Sequence, residues 1–437
     1  MIPVLNLSVD RPKIDQMLRT LRLDPVDFAL NRGDRAKAVQ SVQKILEDVA
    51  TRGDQALVDS SREFDDPNFT IDQIRVTQEE MIAAAALVPE DQLAAIRRSI
   101  AQVREYQTHF LPPPMPALHR PGVELSMRFT PIDSAGLYFP GGKAAYPSSL
   151  IMLAVPAQVA DVKKIVVATP PSKYGRSDLV LATALELNLE HVFRAGGAAA
   201  IAAMAFGTDT IPRVDKIVGP GNTYVQLAKR ALAGCVGIDG YLGPSEILTL
   251  ADDTGNPAFI ASDLIAQAEH DPGSCFLLTT SEDLARKVVT EITKQSALRN
   301  RQSAIVKALK DWSAIIIDKS MDALIDLANQ FAAEHVNLQT SDNDAVLRKL
   351  NHAGAVFIGP YSPVAAGDYV AGPSHCLPTN TTARFSSGIS AYEFLKRSSL
   401  ARYEKEGLAK DADAIISMAT AEHLDGHAAS VGIRRQN

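Results

Sequence analysis

Short β-rich apolar runs alternate with Ala/Leu-rich helical runs from Met127 onward, and this alternation constrains the fold more than any other feature. KIVVATPP, HVFRAGG and DKIVGPG read as buried strands, each followed by a helical stretch. Runs that are apolar throughout, without period-two alternation, fit strands covered on both faces. A second series follows Gly243: EILTLAD, CFLLTT, AIIID, HVNLQ and AVFIG, again separated by helices. Strand–helix alternation predicts parallel sheets with helices on both faces. We therefore expect an α/β fold with two lobes of mostly parallel sheet flanked by helices, each an incomplete Rossmann-like unit, with helical N- and C-terminal arms.

The flanking segments read differently. Residues 1–27 have short apolar patches and no clear strand, and are expected to form an arm. From Asp34 to about Phe110 the spacing is helical: AVQSVQKILEDVA repeats apolar residues at three and four, and RGDQALVDSSREFD continues the trend. LPPPMPAL at 111–118 is a breaker and a candidate boundary. The expected organisation is one lobe from 28–115 and 245–388 for metal and substrate, and one from 116–244 for a dinucleotide. From about Ile389 the chain is expected to return to helix without strands, as a tail over 389–437 that packs on a partner subunit.

Composition narrows the function. The 437 residues are 46% hydrophobic and 22% charged, as expected of a water-soluble globular protein. A net charge of −7, without a Lys/Arg block, argues against nucleic acid as partner. The longest apolar run, SSLIMLAVPAQVA, is too short to cross a membrane and contains Pro156. MIPVLNLSVDRPK lacks the features of a secretory signal. Cys235, Cys275 and Cys376 are odd in number and widely spaced, which fits reduced thiols in a cytoplasmic setting.

Polar residues gather where the apolar pattern breaks. DLIAQAEHDPG places Gln267 and His270 three apart, on one face of a helix end. QFAAEHVNL gives Glu334 and His335 just before a strand, and GYLGPSEIL gives Ser245 just ahead of another. A Gly/Pro-rich loop, YSPVAAGDYVAGPSHCLPT, carries Asp368 and His375, and the tail segment AEHLDGH carries Glu422, His423 and His427. Taken singly, each reads as a hydrogen-bonded loop residue. Together, imidazole, carboxylate and amide without thiolate suit a zinc ion, with manganese or cobalt as substitutes. Three glycine-rich turns, GLYFPGGKAAYPSS, RAGGAAAIAAMAFG and KIVGPGNTYVQLAKR, each run strand, turn, helix. None is a full G-x-G-x-x-G fingerprint, yet three in one lobe point to a nucleotide, because glycines let backbone amides approach a phosphate at a helix N-terminus.

These motifs, in this order, resemble the histidinol dehydrogenase family over nearly the whole chain: RGDQAL, GLYFPGGKAAYPSS, the GG-x-x-AIAAMAFGT run, VGPGNTYV, GPSEIL, DLIAQAEHDP, AEH, GDYVAGPSHCLPT and the terminal E-x-x-x-x-H. The resemblance implies a zinc enzyme that oxidises L-histidinol through L-histidinal to L-histidine with two NAD+. It further implies Gln267, His270, Asp368 and His427 as zinc ligands, with His427 reaching into the partner subunit's site. It assigns Glu334 and His335 as the acid–base pair, and places Ser245, Gln267, His270, His335, Asp368, His375, Glu422 and His427 around the substrate. Tyr138 and Asn222 match positions that touch the dinucleotide, and the family is a homodimer with intertwined tails. Four residues depart from the family pattern: Ala199, Val364, Asn337 and Leu242. Val364 stands where a glutamate is usual, which is expected to remove a partner for the substrate's ammonium group. Two other readings stay open: a paralogous zinc/NAD dehydrogenase of another small polar alcohol, and a silent zinc-binding relative.

Overall fold

Most of the apolar runs become strands that are buried along nearly their whole length. The computed structural model describes residues 2–436 apart from 23–24, 33, 142–144, 241–242 and 271–272. Leu242 and the centre of the first glycine turn therefore lie outside the described residues. Fourteen strands are found among the described residues: β1 (Val4–Asn6), β2 (Leu118–Arg120), β3 (Val123–Pro131), β4 (Ser134–Tyr138), β5 (Lys164–Thr169), β6 (His191–Arg194), β7 (Lys216–Val218), β8 (Gly237–Ile238), β9 (Ser245–Ala251), β10 (Gly273–Thr279), β11 (Ala314–Ile317), β12 (His335–Gln339), β13 (Ala355–Ile358) and β14 (Leu395–Tyr403).

Eleven of them form two parallel sheets, as the two series of runs lead one to expect, and β14, β3 and β2 form a small antiparallel sheet. The first has strand order β6-β5-β4-β7-β8 and the second β1-β11-β10-β9-β12-β13. Within each series the order is third, second, first, fourth, fifth, which is the doubly wound order without its sixth strand. β4, β10 and β12 are buried at every position. Helices fill both faces. Pro147–Val159 and Gly197–Phe206 are apolar almost all round and are buried almost throughout, as a helix must be that has no polar face to give to water.

Three expectations are overturned. The 1–27 arm contains β1, which pairs parallel with β11 at the edge of the second sheet. Three residues with a single β-branched side chain leave no readable period. The tail from 389 is not strandless: β14 pairs antiparallel with β3 along its whole length, from Leu395 opposite Pro131 to Tyr403 opposite Val123. β14 is exposed almost throughout, so nothing forces an apolar alternation on it. The helices expected to join 245–388 pack on the other lobe instead. Val42, Val49 and Leu57 share a core with Val166, Phe193 and Ile201, and Val76, Met81 and Val103 share one with Leu137, Leu150 and Val167. An amphipathic helix records that it has a buried face, not which sheet will cover it.

The tail helices Lys405–Ala421 and Asp425–Gln436 pack on one another. They leave Met418 and Ile433 66% and 62% exposed, and β14 and β3 leave Leu400 and Met127 open to solvent beside them. Among the described residues, no helix is long and apolar enough to cross a membrane.

Candidate active site

A cavity of about 240 Å³ lies between the lobes. On the first lobe it is lined by Pro140, just past β4, and by Pro220, just past β7. β4 and β7 are adjacent, and the chain crosses from one side of β4 to the other between them. That crossing is the switch point, where doubly wound sheets leave a crevice at the carboxyl ends of their strands. The second lobe meets the cavity the other way round. Ser245 opens β9, His335 opens β12, and His270 lies shortly before β10. This lobe therefore offers the amino ends of its strands, contrary to the general rule.

Most of the residues singled out from the sequence meet here. Ser245, His270, Glu334, His335, Asp368 and His375 all line the one cavity. Gln267 sits in the last turn of the helix Pro257–Ala268, buried, and its amide nitrogen has no hydrogen-bond partner. The apolar helix thus ends in polar groups because that end faces the cavity. Glu422 and His427 do not join them within one chain: both are exposed on the tail. Among the described residues of a single chain, no three His, Cys, Asp or Glu side chains are grouped so as to hold a metal. His270 and Asp368 line the cavity, and Gln267 is buried in the helix that ends just before His270.

Hydrogen bonds fix the proton positions. His335 Nδ1 lies 3.2 Å from the Glu246 carbonyl oxygen. A carbonyl only accepts, so Nδ1 carries the hydrogen and Nε2 keeps a bare lone pair. Nε2 is buried and has no partner. Burial lowers this imidazole to about 3, so the ring is neutral. By the same logic His375 donates from Nδ1 to the Asp368 carbonyl at 3.0 Å and accepts at Nε2 from the Ser149 hydroxyl at 3.1 Å. Burial holds it down to about 4.

The carboxyls move upward. Glu334 Oε2 accepts from the Glu246 N–H at 3.0 Å and stands 3.7 Å from His335 Nδ1. Burial raises its carboxyl well above the ordinary value, with Glu246 and Asp368 adding to the rise. Burial alone lifts Asp368 to about 6. His270 sits at the cavity rim and is still exposed by surface area. The protein crowded round its ring, and then Arg301, hold it below the ordinary imidazole value.

Tyr138 is buried, and its hydroxyl accepts from the Gly197 N–H at 3.1 Å. It fixes the start of the helix Gly197–Phe206, where Gly197 at φ +61° faces open space. Asn222 is exposed and caps the helix Thr223–Leu232, accepting from the N–H groups of Tyr224 and Val225. Both residues therefore build helix N-termini at the carboxyl end of the first sheet.

The four departures sort by position. Val364 packs in the apolar core with Ile247, Leu264 and Ile260 and does not line the cavity, so it brings no charge there. Ala199 is buried within the helix Gly197–Phe206. Asn337 is buried in β12 and donates to the Ser362 carbonyl at 3.0 Å. Leu242 lies outside the described residues. Sequence reading also missed Ser149, Tyr146, Tyr369 and Thr379, which line the cavity, and Glu246, whose backbone orients both Glu334 and His335. Ser149 and Glu246 stand inside quoted motifs, YPSS and GPSE, but an ordinary serine and a glutamate in a strand carry no spacing signal.

The comparisons with known proteins agree with one another. A family model described as histidinol dehydrogenase matches residues 30–435. A histidinol dehydrogenase of Synechococcus sp. is 44% identical over 399 residues, 91% of this chain and 92% of that one. One from Rhodopirellula baltica is 41% identical over 405 residues, covering 92% and 88%. The crystal structure of histidinol dehydrogenase from Elizabethkingia anophelis superposes with a TM-score of 0.91 at 34% identity, covering 100% of this chain and 98% of that one. With the family model matched over residues 30–435 and the fold superposing over the whole chain, the chain belongs to the histidinol dehydrogenase family of oxidoreductases.

Proposed function

We propose that this chain oxidises L-histidinol through L-histidinal to L-histidine, reducing two NAD+, with a zinc ion held by Gln267, His270, Asp368 and His427 of the partner subunit. The observation that carries the reading is the convergence of Glu334–His335, Asp368–His375, Ser245 and His270 on one cavity facing the switch point of a dinucleotide-type sheet. The donor set fits zinc: one imidazole, one carboxylate and a buried amide whose nitrogen is unpartnered. A neutral amide ligand adds a bond without adding charge. Bound there, zinc would supply a Lewis-acid anchor for nitrogen donors of the substrate and would favour the ionised form of Asp368, and NAD+ would supply the hydride acceptor.

The remaining work falls to protein groups. His335 Nε2, neutral and unpartnered, takes the hydroxyl proton as hydride leaves the carbinol carbon. The imidazolium formed in a buried site needs a counter-charge, and the Glu334 carboxyl group 3.7 Å from Nδ1 supplies it in its ionised form, which the new positive charge favours. In the second oxidation a water adds to the aldehyde carbon, and hydride leaves the resulting hydrate. Glu334 suits the removal of the water proton, because burial makes its carboxylate a stronger base than an exposed one. Ser149 and His375 form a coupled polar pair that can orient the amino alcohol. Ser245, Glu422 of the partner subunit, Tyr138 and Asn222 complete the substrate and dinucleotide contacts.

Exposed apolar side chains on the tail, Met418, Leu424 and Ile433, support a homodimer in which each tail lies on the other copy. Unpaired cysteines, two of them buried, fit a cytoplasmic setting. The test is direct. Zinc-loaded protein is mixed with L-histidinol and NAD+, and NADH is counted per histidinol consumed. Two are expected, with turnover slowed about 10²–10⁴-fold in His335→Asn. NADH from another small polar alcohol but none from histidinol would reject the substrate, and silence with every alcohol would reject the reaction.

A further inference from the structure

A fully buried ion pair outside the cavity is not used by any step above. Lys229, in the helix Thr223–Leu232, and Asp239, just past β8, pair with side chains 0% and 1% exposed. Both also hold the two backbone polar groups of Gly219. Lys229 Nζ donates to the Gly219 carbonyl at 3.0 Å, and Asp239 Oδ2 accepts from the Gly219 N–H at 2.7 Å. Gly219 has φ +119°, and a Cβ there would stand 1.9 Å from the Tyr138 carbonyl oxygen. The glycine is thus pressed against the end of β4 and gripped on both sides. The next residue, Pro220, lines the cavity, and Asn222 caps the helix that carries Lys229. Taking two charges wholly out of water is costly, and a well-packed apolar pair commonly does as well or better for stability. A pair retained at that cost, with its spare hydrogen bonds spent on one glycine, calls for a task other than stability.

We infer that Lys229 and Asp239 are positioning residues for the dinucleotide: they lock Gly219 so that the Pro220–Asn222 turn and the helix start behind it are preset at the switch point. The inference rests on the reading of the first lobe as the NAD site. It separates from a merely structural role by one comparison. Lys229→Met combined with Asp239→Leu replaces the pair by apolar groups and removes both grips on Gly219.

The experiment uses full-length, zinc-loaded protein and NADH as the probe, with binding followed by NADH fluorescence and folding by thermal melting. The double variant is expected to melt near the wild type, to keep its zinc and its KM for L-histidinol, and to bind NADH about tenfold or more weakly, in keeping with the cost of small misplacements. Unchanged NADH affinity would overturn the inference, as would equal losses of zinc, histidinol and NADH. If the wild type itself binds no NADH, the reading of the lobe fails and the inference falls with it. Should the double variant not fold, hydrogen exchange on the wild type decides. The Gly219 amide is expected to exchange as slowly as the amides of β4, with or without NADH, and fast exchange would refute the clamp.

Discussion

Replacing Glu246 with glutamine isolates the price of a carboxyl enclosed beside the reacting groups. Glu246 is 3% exposed. Its Oε1 accepts from the Asn380 N–H at 3.0 Å, and its own N–H donates to Glu334. Burial pushes its carboxyl up from the ordinary 4.5 to about 8, against the opposing pull of those backbone hydrogen bonds. The unfolded chain releases this proton near pH 4.5 and the folded protein near pH 8, so between these values folding retains a proton. Stability from this group is therefore present in full below pH 4.5 and is lost as pH rises through 8. The loss amounts to roughly 5 kcal/mol at about 1.36 kcal/mol for each pH unit. Glutamine has the same volume, never ionises, and can still accept from Asn380. Relative to wild type, Glu246→Gln should be about equal at pH 4, roughly 2 kcal/mol more stable at pH 6 and roughly 5 kcal/mol more stable at pH 9. Urea unfolding of the metal-free protein, followed by circular dichroism across this range, measures the gap. A gap that is constant with pH, or one that closes as pH rises, would refute the reasoning.

The imidazoles act in the opposite direction. His335 and His375 are held down to about 3 and about 4, so they stay neutral in the fold while the unfolded chain takes up protons below about pH 6.5. In metal-free protein these two rings should withdraw stability as pH falls from 6.5 toward 4, against the gain from the raised carboxyls of Glu246, Glu334 and Asp368, and His375→Gln should remove its share of that withdrawal relative to wild type in the same unfolding series. His335→Asn should lower kcat by about 10²–10⁴-fold, with zinc content and melting temperature close to wild type. A small loss of kcat would move the base elsewhere. Mixing inactive His335→Asn dimers with inactive His427→Ala dimers should restore activity on subunit exchange, since one site of each hybrid then has both residues intact. No recovery in verified hybrids would show that His427 does not serve the partner's site.

The fold was largely legible because strands covered on both faces are dominated by apolar side chains: every apolar run quoted from the two series is a strand. What escaped notice lacked that pressure. β14 is exposed, so LKRSSLARY carries no alternation, and β1 has only three residues. The helices of 34–109 showed their amphipathic spacing but not their partner, because a buried face is read from one helix and a packing partner from two. The cavity was legible where polar residues interrupt apolar runs, as at Gln267–His270 and Glu334–His335. It was illegible at Ser149, whose role depends on a hydroxyl meeting His375 across 226 positions, and at Glu246, which acts through its backbone. Val364, where the motif departs from its family, packs into the core beside Ile247 and Leu264 and brings no charge to the cavity.

Anomalous diffraction at the zinc edge, on crystals of the zinc-loaded protein, reaches the centre of the account. One peak per subunit is expected, in the interlobe cavity, coordinated by Gln267, His270 and Asp368 with His427 of the partner subunit. A peak away from these side chains, or a fully loaded protein in which His427 lies far from both metals, would contradict it.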